Sequence, residues 1–250
     1  MRLGHPLALA CTALLTLAGC GAPVGAPAPA VSTVSPTPSP TPTVVAPTDL
    51  PASVAASTGA TLGVLSDTRS GSALNRPFTY RSVALVNKNH PVSKSFAPSV
   101  GKAYRLAPVA EKAFVSMLTA AKADGVAIIW RVGYRDYATQ EYLSKNPPSH
   151  YGKEADSYVA RPGTSEHQVG LAVDVASKAG FGTRFPETKE FAWLRAHAHE
   201  YGFILRYPQG KTAITGFNYE PWHYRYVGTA AAAAFGPAST LTLEEYLGGR

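Results

Sequence analysis

The sequence predicts an α+β domain with a small antiparallel sheet, carried behind a low-complexity leader. Three observations point there. After about residue 80, helical and strand-like segments follow one another without the regular strand-helix alternation of a doubly wound parallel sheet. The candidate strands are short and their connections irregular. From Gly21 to Thr58 the chain is mostly Pro, Ala, Thr, Ser and Val with Asp49 as its only charge, so it lacks the apolar content and periodicity of a core.

The chain divides into residues 1–20, 21–58, an extension at 59–79 of uncertain order, and a domain at 80–250. The first piece reads as an export signal: Arg2 gives the positive start, and Leu7 to Leu17 form an apolar stretch short for a membrane span. It closes with Leu17-Ala18-Gly19-Cys20, which resembles the lipobox of bacterial lipoproteins. That resemblance implies lipidation of Cys20 and a membrane-anchored protein facing the cell wall or periplasm. The Pro-Thr-Pro-Ser-Pro-Thr-Pro segment favours an extended polyproline II tether, reaching on the order of 100 Å at about 3.1 Å per residue.

Within the domain, Ser82 to Asn87 is a candidate strand and Asn89-His90-Pro91-Val92 a turn. Pro108 opens a helix whose Ala110, Phe114, Met117, Leu118 and Ala121 recur at helical spacing, and Asp124-Gly125 ends it. Val126 to Val132 is β-branched and short enough for a buried strand, which puts Arg135 at its exit. Tyr137 to Lys145 reads as a helix that stops before Pro147-Pro148, and Ser149 to Thr164 as an irregular loop of the kind that forms a lid or binding wall. Leu171 to Val175 is a strand, Glu187 to Tyr201 a helix closed by Gly202, and Phe203 to Arg206 and Trp222 to Tyr226 two further strands.

Composition narrows the chemistry. The only cysteines are Cys11 and Cys20, both in the leader, so the domain has no disulfide, thiolate metal site or cysteine nucleophile. The net charge is +7, but no Lys/Arg run of nucleic-acid type occurs. The basic balance is therefore read as solvated surface, with no nucleic acid as partner.

The informative segment is Ser165-Glu166-His167-Gln168-Val169-Gly170-Leu171-Ala172-Val173-Asp174, together with Glu220-Pro221-Trp222-His223 some fifty residues on. Two His and one Asp make a three-ligand set of the kind catalytic zinc uses, with the fourth position left for water. A carboxylate such as Glu220 beside them can take a proton from that water. His90, His150, His197 and His199 lack a partner at ligand spacing; His150 is the best outsider because it lies in the candidate lid.

These segments resemble the zinc motifs Ser-x-His-x-x-Gly-x-Ala-x-Asp and Glu-x-Trp-His of VanY-type D-alanyl-D-alanine carboxypeptidases, within the wider LAS metallopeptidases. The resemblance extends to Leu85-Val86-Asn87-Lys88 and to Gly133-Tyr134-Arg135 with Gln140, covering roughly residues 80 to 228. It implies a LAS/Hedgehog-like fold, a small central antiparallel sheet flanked by helices, and one zinc ion held by His167, Asp174 and His223. It further implies Glu220 as the base, Arg135, Gln140 and Ser165 as groups that hold the substrate's terminal carboxylate or the developing oxyanion, and Trp222 as a pocket wall. The implied activity is removal of the terminal D-alanine from peptidoglycan stem peptides. An L,D-carboxypeptidase acting on the tetrapeptide and a non-catalytic zinc-containing wall-binding module remain as alternatives.

Overall fold

A computed structural model describes residues 65–248, so the expected signal, the expected linker and residues 59–64 of the expected extension lie outside the described residues. The sheet that organises the domain has four strands, β3 (Ile129–Val132), β4 (Ala172–Ala176), β5 (Phe203–Leu205) and β6 (His223–Tyr226). They lie in the order β3-β4-β6-β5, each pair antiparallel, as the sequence predicts. A separate hairpin pairs β1 (Phe78–Tyr80) with β2 (Val83–Leu85).

Register assigns the two faces of this sheet. Val173 pairs with Tyr224 and Leu205 with Tyr224, while Asp174 pairs with His223 and Ile204 with Arg225. Directly paired residues share a face and neighbours along a strand alternate, so Val173, Val175, Phe203, Leu205 and Tyr224 point one way and Asp174, His223, Ile204 and Arg225 the other.

The first face is apolar. It meets α1 (Pro108–Ala123) through Ala110, Phe114, Met117 and Ala121, and α3 (Lys189–His197) through Trp193 and Leu194, in one buried cluster. Phe114 and Phe203 meet edge to face at 5.9 Å. Full burial of each such large side chain contributes about 1.5–3 kcal/mol, which makes this cluster the main source of stability.

The helix boundaries follow local chemistry. Pro108 sits at the start of α1, where its missing N–H costs nothing. At its end Gly125 takes φ +71° and donates to Lys122 O, and Val126 N donates to Ala121 O. This Schellman closure uses Val126, so β3 begins at Ile129 rather than at Val126 as expected. The α2 helix (Tyr137–Lys145) is capped by Asp136, which accepts from Thr139 N at 2.7 Å. The expected Glu187–Tyr201 helix is instead α3, capped by Thr188, followed by a 3₁₀ turn at Ala198–Tyr201.

Three short helices complete the chain: α4 (Thr212–Thr215), α5 (Thr229–Ala232) and α6 (Leu243–Leu247), the last held by a full capping box between Thr242 and Glu245. A second apolar cluster joins Val83, Leu85 and Ile204 to Ala232, Phe235, Leu243 and Leu247, with Leu65 and Phe78 packed against it. Ordered packing therefore starts before Tyr80, because the first strand of the hairpin lies in what the sequence left as an extension. The stretch expected to be irregular after Pro148 contains 3₁₀ turns over Ser149–Ser157, kinked at Gly152 with φ +50°. Among the described residues, no helix is long and apolar enough to cross a membrane.

Candidate metal centre

The second face of the sheet carries the chemistry. Asp174 on β4 and His223 on β6 are direct cross-strand partners, so the sheet itself brings their side chains together. His167 arrives from a 3₁₀ turn, Glu166–Val169, that ends at Gly170 with φ +67° before the chain enters β4. A side chain at Gly170 would be strained at that φ and would put its Cβ 3.0 Å from Ala107 N. One ligand atom from each of His167, Asp174 and His223 lies within 4.8 Å of the others, and all three residues are buried. Among the described residues this is the one such cluster of metal-donor side chains.

Hydrogen bonds set the ring orientations. His167 Nδ1 lies 2.7 Å from Gly133 O; a carbonyl only accepts, so Nδ1 carries the proton and Nε2 faces Asp174 Oδ1 at 3.3 Å. Gly133 must be glycine, because a Cβ there would sit 2.1 Å from Tyr104 O. His223 Nδ1 lies 3.0 Å from the same Asp174 Oδ1 and 3.7 Å from Glu220 Oε2.

Burial works against every charge in this cluster, and the neighbours decide each outcome. Burial alone would raise Asp174, but His167 and His223 hold it well below the carboxylate range. Burial lowers His167. Burial would also lower His223, but hydrogen bonds to Asp174 and Glu166 outweigh it and bring the ring to about 9. Glu220 lacks comparable support, and burial pushes it up to about 8. Without a cation, a second proton on His223 occupies the place between the acceptors. Two imidazoles and a carboxylate in this arrangement fit zinc, whose structural preference is for nitrogen and oxygen donors with an open fourth position.

The cluster forms the floor of a cavity of about 960 Å³ lined by Arg135, His150, Tyr151, Ser165, Glu220 and Trp222, among others. Arg135, at the exit of β3, donates from Nη1 to Gln140 Oε1 at 2.8 Å, and Gln140 Nε2 donates to Ala160 O at 2.6 Å. Gln140 is fully buried and stands behind Arg135, so it orients the guanidinium instead of lining the cavity as expected. Ser165 is buried at the start of the ligand-bearing turn, and Trp222 packs against Phe181 at 5.6 Å on the wall. Above them the 3₁₀ turns stack Tyr151 on Tyr158 at 4.5 Å, and Lys88 Nζ pins the segment by donating to Asp156 O and Gly216 O. Of the other histidines, His150 reaches the cavity wall, whereas His90 is buried between Asn87 and Leu65 O.

Sequence reasoning missed the residues immediately behind the cluster. Glu166 is fully buried, accepting at Oε1 from Arg206 Nε at 2.7 Å and Arg225 Nη1 at 2.6 Å. Arg206 in turn donates to both oxygens of Glu244 on α6, at 2.8 and 2.6 Å. Burial would raise Glu166, but the two guanidiniums hold it far below the carboxylate range. Glu166 stood inside the motif as a variable position, and only the alternation that turns Arg225 to the His223 face could have flagged its partner.

The VanY family profile, described as D-alanyl-D-alanine carboxypeptidase, matches residues 103–229. A D-alanyl-D-alanine carboxypeptidase of Enterococcus faecalis is 39% identical over 183 residues, covering 66% of this chain and 65% of its own length. A relative from Bacillus subtilis is likewise covered over 66% of its length. Among solved structures, the LD-carboxypeptidase LdcB aligns with TM-score 0.58 and 34% identity, over 69% of this chain and 92% of that one. The vancomycin-resistance D,D-pentapeptidase VanY from a VanB-type cassette, in complex with Zn(II), aligns with TM-score 0.57 and 36% identity, over 65% and 97%.

Proposed function

The chain belongs to the VanY family of D-alanyl-D-alanine carboxypeptidases, and from that premise we propose that it is a zinc-dependent carboxypeptidase removing the terminal D-alanine of peptidoglycan stem peptides. The observation that carries the reading is the buried His167, Asp174 and His223 donor set with Glu220 beside it on the floor of an open cavity. The zinc complex of the VanY pentapeptidase supports the choice of metal.

His167, Asp174 and His223 hold the ion. Zinc bound there supplies Lewis acidity, lowering the pKa of water from about 15.7 to about 7 and polarising a carbonyl. Arg135 receives the substrate's terminal carboxylate with its planar fork, and Gln140 keeps that fork aimed. Ser165 and Trp222 bound the pocket around the terminal residue. Glu220 takes the proton from the attacking water and delivers it to the departing amine as the C–N bond breaks, releasing D-alanine. Burial raises Glu220 in the metal-free site, and a cation beside it would favour the charged form that accepts this proton.

The test is D-alanine release from a wall pentapeptide. Glu220→Gln lowers kcat on the order of 100- to 10,000-fold while zinc stays bound, and His223→Ala loses both; full activity in Glu220→Gln removes the mechanism. Likeness to LdcB favours a second reading, an L,D-carboxypeptidase acting on the tetrapeptide. Running tetrapeptide and pentapeptide side by side in the same assay decides between them.

We also propose export and a lipid anchor on Cys20, supported by the apolar stretch that closes with Leu17-Ala18-Gly19-Cys20. The expected measurement is a lipid-sized mass shift, lost in Cys20→Ala together with membrane association. Unchanged mass and fractionation in that variant would exclude the anchor.

A further inference from the structure

The metal reading requires His223 to offer one particular nitrogen, and the motif does not say which. We propose that Glu166 is a positioning residue that fixes His223 with its proton on Nε2 and its Nδ1 lone pair turned to the metal site. This inference rests on the zinc reading above.

The division of labour between the two Glu166 oxygens carries the argument. Oε1 takes both guanidiniums, from Arg206 and Arg225, and that alone would serve to neutralise buried charge. Oε2 is turned the other way, 3.3 Å from His223 Nε2. A carboxylate gripped by two guanidiniums has no proton to donate and only accepts. Nε2 must then carry a hydrogen that the ring keeps, so the proton an incoming cation displaces is the one on Nδ1, the nitrogen that lies 3.0 Å from the Asp174 carboxylate of the donor cluster. Because Glu166 is rigidly held from behind, the ring gains both a tautomer and an orientation, as outer carboxylates do for ligand histidines.

His167 is fixed by another route and with the opposite sense. Its Nδ1–H goes to the Gly133 carbonyl, so it offers Nε2. The two histidines therefore present different nitrogens to one ion, an asymmetry that the sequence does not contain.

The experiment measures zinc affinity of the full-length chain by competition with a chromophoric chelator. Glu166→Gln is compared with Glu244→Gln, which removes a carboxylate from the same buried network without touching His223. Glu166→Gln is expected to weaken zinc binding roughly 10- to 100-fold, and Glu244→Gln to leave it near wild type while lowering the unfolding midpoint. Equal losses in the two variants, or no loss in Glu166→Gln, overturn the inference and leave the zinc reading standing. A wild-type chain that binds no zinc removes both.

Should Glu166→Gln fail to fold, ¹⁵N NMR of the zinc-loaded wild type gives an independent answer. The expected signature is His223 protonated at Nε2 and His167 protonated at Nδ1. The same tautomer on both rings would rule the proposal out.

Discussion

Two buried charge clusters sit side by side on one face of the sheet, and they differ in whether their charges balance. In the rear cluster Glu166 and Glu244 meet Arg206 and Arg225, one carboxylate for each guanidinium, with bidentate geometry between Arg206 and Glu244. In the front cluster Asp174 and Glu220 lie beside two imidazoles on the floor of an open cavity. Both set two carboxylates against two nitrogen bases at similar burial, guanidiniums in the rear and imidazoles in the front. The balanced one is scaffold, closed on itself and tied to α6. The unbalanced one holds more acceptors than protein cations can satisfy, which is the electrostatic description of a cation site.

The sharpest way to break that contrast is to unbalance the rear. Arg206→Met leaves Glu166 with Arg225 alone and Glu244 with no guanidinium, only the Asn87 amide, and removing one partner of a buried ion pair costs about 3–5 kcal/mol. Urea unfolding of the variant should show that loss. Adding Glu244→Met to it should restore part of the stability, since partners in one network couple by roughly 0.5–3 kcal/mol. A rear cluster whose members could be removed singly at little cost would not be the scaffold described here.

The two clusters were unequally legible. Fold class, the antiparallel sheet and the front residues were readable because they obey short-range rules. Alternation marks β4 and β6, and the motif places His167 and Asp174 on consecutive pieces of chain. The rear cluster joins Asn87, Glu166, Arg206, Arg225 and Glu244, which are contributed by five separated segments. No local pattern announces such a network, and a buried Arg in a strand looks in sequence like a solvated one. Gln140 shows the same limit at smaller scale. Its position in the motif was readable, but its place behind Arg135 depends on a hydrogen bond to Ala160 O across the candidate lid. The first strand of the hairpin, Phe78–Tyr80, was missed because three residues fall below any useful period, whereas its partner Val83–Leu85 lies inside the strand expected at Ser82 to Asn87.

The smaller test acts on the front, in protein stripped of metal. Glu220 has a folded-state pKa of about 8 against an ordinary value of 4.5, so between those pH values the folded chain binds more protons than the unfolded chain. Stability must then fall as pH rises through that window, with the penalty absent below about 4.5 and complete above about 8. Glu220→Gln removes the ionisable group, so the metal-free variant should exceed metal-free wild type by up to about 3 kcal/mol at pH 7 and by little at pH 5. Zinc reverses the ordering of causes, since a cation beside Glu220 favours its charged form and should shrink the difference. Thermal unfolding at the two pH values, with and without zinc, measures all four quantities. If Glu220→Gln were as destabilising without metal as the rear substitutions, the front carboxylate would already be balanced by the protein, and the distinction between scaffold and cation site would fail.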